Sequence, residues 1–314
     1  MPVIMSPKNE YLVYETTISS LIQNLLDFAR LNALDKNKPF EFKFSSKAEF
    51  DLEWGKREDI KWRDAAFLSL VKTSQSLQNP QFMFPGFCDI CQKEQNFILE
   101  PTWSTGTEGL GCPECNCNSR LRSLYATFLK FYKHEDKVYI NEMVTPFFNR
   151  LKEVVPELVG SEYLEDDMKS GTFVNNIRHE DSTKLSFENN SFDLYISNDV
   201  FEHVFDFEKA FMESFRVLKR HGKMIFHVPF HLDQEVTRIR AVRSQNGKVN
   251  HLHEPVYHGN PLSNEGSLCV QDFGWDLFSM LNKSGFKKSY GICKNNIYKG
   301  YLNVTSLVFI AEKG

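Results

Sequence analysis

The second half of the chain alternates short apolar runs with helix-like segments, and this alternation constrains the fold more strongly than any other feature of the sequence. Such a texture is typical of parallel strands that are joined by crossover helices. The runs that fit strands are Lys137–Asn141, Leu158–Tyr163, Asn176–His179, Phe192–Ser197, Lys223–Val228, Lys288–Cys293 and Ser306–Ala311. The pattern therefore predicts an α/β fold built on a largely parallel sheet.

Helices between these strands are indicated by apolar residues that recur every three to four positions. The predicted helices run over about Val144–Val155, Phe207–Lys219 and Trp275–Lys283. The second has the clearest apolar face, which consists of Phe207, Ala210, Phe211, Phe215 and Leu218. We expect Asp206 to cap the start of this helix and Gly222 to close its end.

Residues 1–84 form a separate N-terminal region with a mainly helical pattern. The spacing of apolar residues from Ile18 to Ala29 predicts one buried helix face, and a second helix is expected from about Asp59 to Ser76. Between them, Phe40 to Phe44 fit a short strand. The prolines at positions 80 and 85 then interrupt any regular structure before the next feature begins.

Two CxxC pairs follow, formed by Cys88 with Cys91 and by Cys112 with Cys115, and 20 residues separate them. Two such turns can place four thiolates around one tetrahedral zinc ion, which predicts a small four-cysteine zinc-binding module over residues 85–125. Four protein ligands leave no open position for water, so we expect a structural zinc ion. Cys117 is a fifth nearby thiol that could replace Cys115, although we expect it to be a bystander.

From Phe192 the chain reads FDLYISNDVFEHV, continues through the amphipathic helix, and then reads HGKMIFHVP up to Pro229. This order of strand, acidic turn, helix, glycine turn and strand resembles the central block of class I S-adenosylmethionine-dependent methyltransferases. Shorter matches extend the resemblance over about residues 137–314. It implies a Rossmann-like seven-stranded sheet, mostly parallel with an antiparallel last strand, in a catalytic domain that spans residues 126–314.

The resemblance also implies where S-adenosylmethionine binds. It places Glu162 at the ribose hydroxyls, and Asp181 with Ser182 at the adenine ring. Asn198 and Asp199 end the fourth strand near the methyl group of the cofactor. These positions agree with the general rule that ligands bind beyond the carboxyl ends of the strands in open α/β sheets. A surface position for Glu162 and a turn role for Asp181 are the alternatives.

The first loop departs from the family pattern. The family carries a glycine-rich turn there, which lets the backbone approach the cofactor. Here residues 138–146 read VYINEMVTP and contain no glycine. Either Glu142 and Thr145 rebuild this wall of the site, or the domain binds the cofactor weakly or has lost catalysis.

An insertion of about residues 231–267 follows the fifth strand, where the fold implied by the resemblance places it over the active site. It is longer than an ordinary connection between a strand and a helix. Arg238, Arg240 and Arg243 could hold an anionic acceptor, or they could form a solvated basic face. His258 is the first candidate for a general base that takes the acceptor proton, and His203 is the second; a purely structural role is the alternative for each.

The composition narrows the choice of acceptor. The formal charge is −4 and the pI is about 6.2, which argues against nucleic acid as a partner. We therefore expect O- or N-methylation of a small molecule, such as a glycan or nucleotide-sugar precursor. The alternatives are an RNA or protein methyltransferase that is guided by the zinc ribbon, and a non-catalytic binding module. The sequence shows neither a secretory signal nor a membrane span, so the expected location is the cytoplasm. It does not determine the oligomeric state.

Overall fold

The computed structural model describes residues 40–58, 60–61, 65, 82–99, 110–302 and 306–314. The predicted helix from Ile18 to Ala29 and most of the one from Asp59 to Ser76 lie outside these residues. The chain forms two compact units. The smaller consists of residues 1–41, 54–120 and 294–306, and the larger of residues 42–53, 121–293 and 307–314.

The smaller unit contains a three-stranded antiparallel sheet. The described chain begins with strand β1 (Phe40–Phe44) and helix α1 (Lys47–Gly55), and the small sheet consists of β2 (Phe82–Cys88), β3 (Lys93–Leu99) and β4 (Leu110–Gly111). Phe84 and Phe97 stack on each other between β2 and β3, with 6.2 Å between their ring centroids. Both rings are fully buried, so they form the apolar centre of this sheet.

The remaining described strands are, in chain order, β5 (Val138–Ile140), β6 (Leu158–Gly160), β7 (Phe173–Val174), β8 (Ile177–Arg178), β9 (Phe192–Asn198), β10 (Leu218–His227), β11 (Arg238–Ile239), β12 (Ala241–Arg243), β13 (Val249–His251), β14 (Tyr257–Asn260), β15 (Ser263–Leu268), β16 (Gln271–Asp272), β17 (Lys288–Asn295) and β18 (Val308–Glu312). Seven strands form the main sheet in the order β1-β17-β18-β10-β9-β5-β6. Strands β6, β5, β9 and β10 are parallel, and β18 is antiparallel to its neighbours β10 and β17. This arrangement confirms the predicted Rossmann-like sheet with an antiparallel last strand.

The third predicted strand, Asn176–His179, is not part of the main sheet. Asn175 and Asn176 both have positive φ, at 48° and 65°, and a two-residue turn of this kind favours a tight hairpin. Strand β8 therefore pairs back on β7, and only a bridge between Glu162 and His179 marks the expected position at the edge beside β6.

Strand β1 supplies the seventh strand at the opposite edge, beside β17. Phe44 is buried and packs edge-on against Trp275, Phe278 and Phe309, with centroid distances of 5.8–6.4 Å. Gly291 in β17 accommodates this ring, because a side chain there would collide with it. Aromatic burial of this size stabilises the added strand.

The other described α-helices are α2 (Ser119–Phe128), α3 (Pro146–Lys152), α4 (Phe207–Val217) and α5 (Leu277–Lys283). Asp206 caps α4 as predicted, since its Oδ1 accepts a hydrogen bond of 3.2 Å from the Lys209 N–H. The expectation for Gly222 is wrong: α4 ends at Val217, the chain enters β10 directly at Leu218, and Gly222 lies inside that strand. Pairing of Leu218 with β9 ends the helix before the glycine is reached.

The insertion after β10 folds into short antiparallel pairs, in which β11 pairs with β16, β12 with β13, and β14 with β15. Among the described helices, none combines the length and the apolar character that crossing a bilayer requires.

Candidate functional site

The parallel strands end at one edge of the main sheet, and the predicted cofactor residues follow these ends. Glu162 lies two residues after β6, and Asn198 with Asp199 lies at the end of β9. Asp181 is brought to the same edge because the neighbouring backbone bonds to Glu162: the Glu162 N–H donates to the Arg178 carbonyl at 2.8 Å, and the Glu180 N–H donates to the Glu162 carbonyl at 3.0 Å. The edge therefore gathers acidic groups from segments that are far apart in sequence.

Glu162 holds the first loop. Its Oε1 accepts hydrogen bonds from the Met143 N–H at 2.6 Å and from the Val144 N–H at 3.0 Å. Its Oε2 accepts no hydrogen bond from the residues that the structure describes. One carboxylate oxygen thus orders the loop. Burial raises the pKa of Glu162, and the two backbone hydrogen bonds oppose this rise.

The glycine that the first loop lacks has a counterpart in the adjacent strand. Gly160 ends β6, and a side-chain carbon at that position would lie 2.9 Å from the Glu142 carbonyl oxygen and would overlap the Phe148 ring. The loop therefore approaches β6 closely because β6 carries the glycine. The sequence did not indicate this role of Gly160, because the family pattern places its glycines within the loop and not at the end of the adjacent strand.

The other two loop residues have defined local surroundings. Thr145 is the N-cap of α3, and its Oγ1 accepts a hydrogen bond of 3.1 Å from the Phe148 N–H. Glu142 is buried next to the end of β5. A role in binding the cofactor stays a prediction for both residues. In this structure the hydroxyl oxygen of Thr145 caps α3.

Asp181 has the turn role that was the alternative at the sequence level. Its Oδ1 accepts hydrogen bonds from the Thr183 N–H and from the Thr183 hydroxyl, both at 2.8 Å. Its Oδ2 accepts none from the described part of the chain, so binding of an adenine amine by that oxygen is compatible with the turn. Ser182 follows and is buried.

A pair that the sequence did not reveal joins the ends of β9 and β10. Asp199 has a positive φ of 50°, and its Oδ1 lies 2.6 Å from Nδ1 of the buried His227. The Asp199 N–H also donates to the His227 carbonyl at 3.1 Å. Adjacent ends of parallel strands bring the two residues together. They are 28 positions apart in sequence, so no local pattern predicts this contact.

The two predicted catalytic histidines lie side by side. The rings of His203 and His258 meet edge-on, with 5.4 Å between their centroids. Burial lowers the pKa of His203 to about 4, whereas hydrogen bonding to Cys269 and to Glu202 raises the pKa of His258 to about 10. A general base must be unprotonated at neutral pH, a condition that the lowered pKa of His203 meets and the raised pKa of His258 does not. The base role stays a prediction for both histidines.

The three arginines of the insertion contact carboxylates. Nη1 of Arg240 lies 2.7 Å from Asp272, and Nη1 of Arg243 lies 3.0 Å from Asp166. Arg238 is 3.9 Å from Asp272. Arg240 is largely buried, while the side chains of Arg238 and Arg243 are exposed by 47% and 40% and can meet a solute.

The four predicted zinc ligands converge in the smaller unit. Sulfur atoms lie 3.7 Å apart in the pair Cys88–Cys115 and 3.8 Å apart in the pair Cys91–Cys112. Zinc–sulfur bonds of ~2.3 Å in a tetrahedron require sulfur atoms ~3.8 Å apart, so the cluster fits a zinc ion. Burial and the neighbouring thiols raise the pKa of Cys91 to about 12, and a bound cation would offset this cost of forming thiolates.

The backbone around the cluster repeats in both CxxC turns. The residue after each pair, Gln92 and Asn116, has a positive φ of 56° and 55°. Each donates its N–H at 2.9 Å to the carbonyl of the first cysteine of its pair. Cys117 is not part of this group of four, and its thiol lies 3.4 Å from the Cys115 carbonyl oxygen.

Comparison with known protein families finds a match in the larger unit. Residues 149–226 match the family described as "Methyltransferase domain". No curated protein matches the chain.

Similar solved structures are S-adenosylmethionine-dependent methyltransferases of low identity. The one from Mesorhizobium loti is 13% identical, with 61% of this chain and 98% of that chain covered and a TM-score of 0.39. The one from Methanosarcina mazei is 15% identical, with 60% and 97% covered and a TM-score of 0.39. The 1,6-didemethyltoxoflavin-N1-methyltransferase of Burkholderia thailandensis is 13% identical, with 62% and 78% covered and a TM-score of 0.39.

The family match begins within α3, includes β6, β9 and α4, and ends one residue before the end of β10. The strand order and the carboxylate after β6 agree with a fold that binds its ligand at this edge. The larger unit therefore has the Rossmann-like fold of methyltransferases, and the match of residues 149–226 indicates an S-adenosylmethionine-dependent methyltransferase.

Proposed function

We propose that the enzyme transfers a methyl group to an oxygen or nitrogen atom of a small molecule, such as a glycan or nucleotide-sugar precursor. The position of Glu162 carries the cofactor part of this proposal, since one carboxylate oxygen orders the first loop and the other is left for the ribose hydroxyls. Asp181 would meet the adenine amine through Oδ2. Asn198 and Asp199 would line the cofactor near its methyl group.

When bound, the cofactor supplies an electrophilic methyl group on a positively charged sulfur atom. The work of the protein is then to orient the acceptor in line with that group and to exclude water. Glu142 and Thr145 would contribute to the wall beside the methionine moiety. A base role for His203 or His258 stays a prediction.

Charge supports a small anionic acceptor. The insertion presents the exposed guanidinium groups of Arg238 and Arg243, whereas the whole chain has a net charge of −4. Local positive charge on an acidic protein suits a compact anion better than a long polyanion, which needs an extended basic surface.

The cysteine cluster supports a structural role for zinc. We propose that Cys88, Cys91, Cys112 and Cys115 hold one zinc ion, and that this ion fixes the two turns of the ribbon. Ligands that are free thiols need a reducing compartment, in agreement with the cytoplasmic location expected from the sequence.

Calorimetric titration with S-adenosylhomocysteine tests the cofactor site. We expect micromolar binding to the wild-type protein, and loss of binding in the double variant Glu162→Ala, Asp181→Ala. Glu165→Gln is the matched control, because this exposed carboxylate lies three residues from Glu162 and outside the edge. Absence of binding to the folded wild-type protein, or unchanged binding in the double variant, would refute the proposed site.

A further inference from the structure

A group of three side chains that often serve as metal ligands lies in the larger unit. One ring nitrogen each of His203 and His258 and the Sγ of Cys269 all lie within 4.8 Å of one another. His203 belongs to the turn after β9, His258 to β14, and Cys269 directly follows β15. Donor atoms from three separate segments of the chain therefore converge on one point.

The β14–β15 hairpin brings His258 and Cys269 together. Its register places His258 opposite Ser267, and Cys269 follows two positions later, so the two side chains are diagonal neighbours on one face. The Cys269 N–H donates to the Val256 carbonyl at 2.8 Å, which continues the pairing past the end of β15. Cys269 is buried, so the hairpin holds its thiol away from solvent.

A backbone hydrogen bond orients His203 toward the same point. Its Nδ1 lies 2.9 Å from the Leu268 carbonyl oxygen, and a carbonyl oxygen only accepts, so Nδ1 carries the hydrogen. Nε2 of the neutral ring then holds the lone pair that can bind an ion. Metal-binding histidines are usually fixed in this way, through a hydrogen bond from the nitrogen that does not bind the metal. Because Leu268 precedes Cys269, the same bond brings the ring to the thiol.

The separations leave room for an ion between the three donors. Zinc bonds of ~2.0–2.1 Å to nitrogen and ~2.3 Å to sulfur place the donors of a tetrahedral site ~3.3–3.7 Å apart. Donors that lie within 4.8 Å of one another reach this spacing when they approach by no more than ~1.5 Å, and side-chain rotations supply movements of that size. Imidazole nitrogen combined with thiolate sulfur is a donor set that suits zinc and not magnesium or calcium.

We propose that His203, His258 and Cys269 bind one zinc ion and leave its fourth position open. Three protein ligands are the usual number in catalytic zinc sites, where water or substrate occupies the fourth position. A nitrogen atom that binds the ion cannot also take up a proton. This role therefore excludes the base role that the sequence predicted for the two histidines.

The open position suits an acceptor with a hydroxyl group, a conclusion that rests on the proposed methyl transfer. His203 and Asp199 belong to the same turn after β9, and Asp199 is proposed to line the cofactor near its methyl group. Coordination to zinc lowers the pKa of a bound hydroxyl, so the acceptor releases its proton to solvent. Its oxygen then bonds to the methyl carbon, and the electron pair of the broken carbon–sulfur bond returns to sulfur.

The metal content of the whole chain tests the site, measured by mass spectrometry after loading with Zn²⁺ and removal of the excess. We expect two equivalents in the wild-type protein and one in Cys115→Ser, which lacks the cysteine cluster. His258→Ala and Cys269→Ser should also hold one. The control His251→Ala is exposed in the same insertion and lies outside the group, so it should retain two.

Cobalt substitution tests the open position. Cys115→Ser loaded with Co²⁺ should show a thiolate charge-transfer band that disappears when Cys269→Ser is added. Acetohydroxamate, a small ligand that binds metals through oxygen, should shift the cobalt absorption bands of Cys115→Ser. Such a shift needs a free coordination position, because four protein ligands close a site.

Three results would overturn the proposal. One is a wild-type protein that holds no ion beyond the one lost in Cys115→Ser, a result that does not depend on the folding of a variant in this group. Another is a His258→Ala protein with the wild-type metal content. The third is a cobalt spectrum of Cys115→Ser that acetohydroxamate leaves unchanged.

Titration of the same samples with S-adenosylhomocysteine separates this proposal from the proposed function. Loss of one metal equivalent in Cys269→Ser with retained cofactor binding supports the metal site beside a working cofactor site. Two metal equivalents in a wild-type protein that binds no S-adenosylhomocysteine would refute the methyl transfer and the acceptor role, and would still support the metal site.

Discussion

At the scale of single residues, Glu162 holds a first loop that contains no glycine. Its Oε1 accepts hydrogen bonds from two consecutive backbone N–H groups of that loop, those of Met143 and Val144. The close approach of that loop depends in turn on Gly160. The unusual loop is therefore matched by particular residues on the neighbouring strand, which argues against a merely degenerate site.

Gly160→Ala should destabilise the domain and weaken cofactor binding. The added carbon would lie 2.9 Å from the Glu142 carbonyl and would overlap the Phe148 ring, so the loop would have to move. Overpacking of this kind costs about 1–3 kcal/mol, to be measured by urea unfolding. Gly259→Ala is the matched control, since nothing lies within 4 Å of its added carbon. Equal stability of the two variants would contradict the close approach.

Affinity for S-adenosylhomocysteine should fall as the pH is lowered, and Glu162 should cause this fall. Burial raises the pKa of this carboxyl, so it takes up a proton at a higher pH than the ordinary value of 4.5. Ribose hydroxyls donate to the ionised form, so affinity is present above the raised pKa and is lost as the pH falls through it. Calorimetry should show the loss between about pH 7 and the ordinary pKa in the wild-type protein, and a weaker dependence in Glu162→Gln. Equal wild-type affinity at both ends of this range would contradict the assignment.

At the scale of structural elements, the two CxxC turns are local units with the same backbone geometry. Each places a residue of positive φ directly after its second cysteine. The spacing was enough to predict them, because a turn of four residues depends on few distant contacts. The choice between Cys115 and Cys117 depended on the path of the chain after the turn.

Cys115→Ser should lose zinc, and Cys117→Ser should retain it. The Cys115 sulfur is 3.7 Å from the Cys88 sulfur, whereas Cys117 is not one of the four clustered cysteines and its thiol donates to the Cys115 carbonyl oxygen. Competition with a chromogenic chelator should show release from the first variant at concentrations that leave the second intact. Equal retention by both variants would mean that Cys117 can serve as a ligand.

At the scale of the whole molecule, the smaller unit is assembled from separate parts of the chain. Residues 294–302, which begin near the end of β17, belong to the same compact unit as the four-cysteine cluster. Asp89, inside the first CxxC turn, is buried and accepts hydrogen bonds from Lys299, at 2.6 Å, and from the Tyr301 hydroxyl. The ribbon is therefore completed by residues 210 and 212 positions away in sequence.

Asp89→Ala should loosen the ribbon. The substitution leaves Lys299 and the Tyr301 hydroxyl without their shared acceptor, and the loss of such buried partners costs about 1–3 kcal/mol. Faster transfer of zinc to a chelator is the measurement. Lys93→Ala is the control, because it removes only an exposed pair with Glu114 and should leave the transfer rate nearly unchanged. Equal rates in both variants would show that Asp89 does not hold the ribbon together.

Some features of this protein were determined by the sequence alone. The runs that became β5, β6, β9, β10, β17 and β18, the helix α4 with its Asp206 cap, and the convergence of two CxxC pairs were all predicted. Each of these depends on periodicity, capping or spacing over a short stretch of chain. Local chain geometry is enough to express such signals.

The tertiary structure decided the rest. It replaced the third strand by a hairpin at Asn175 and Asn176, added β1 to the opposite edge, and ended α4 before Gly222. It also brought Cys269 to the two histidines and joined Glu162 to the glycine-free loop. These outcomes depend on contacts between side chains that are far apart in sequence and meet only after the sheet has formed. Such contacts produce no periodic pattern in a single sequence, so the sequence did not predict them.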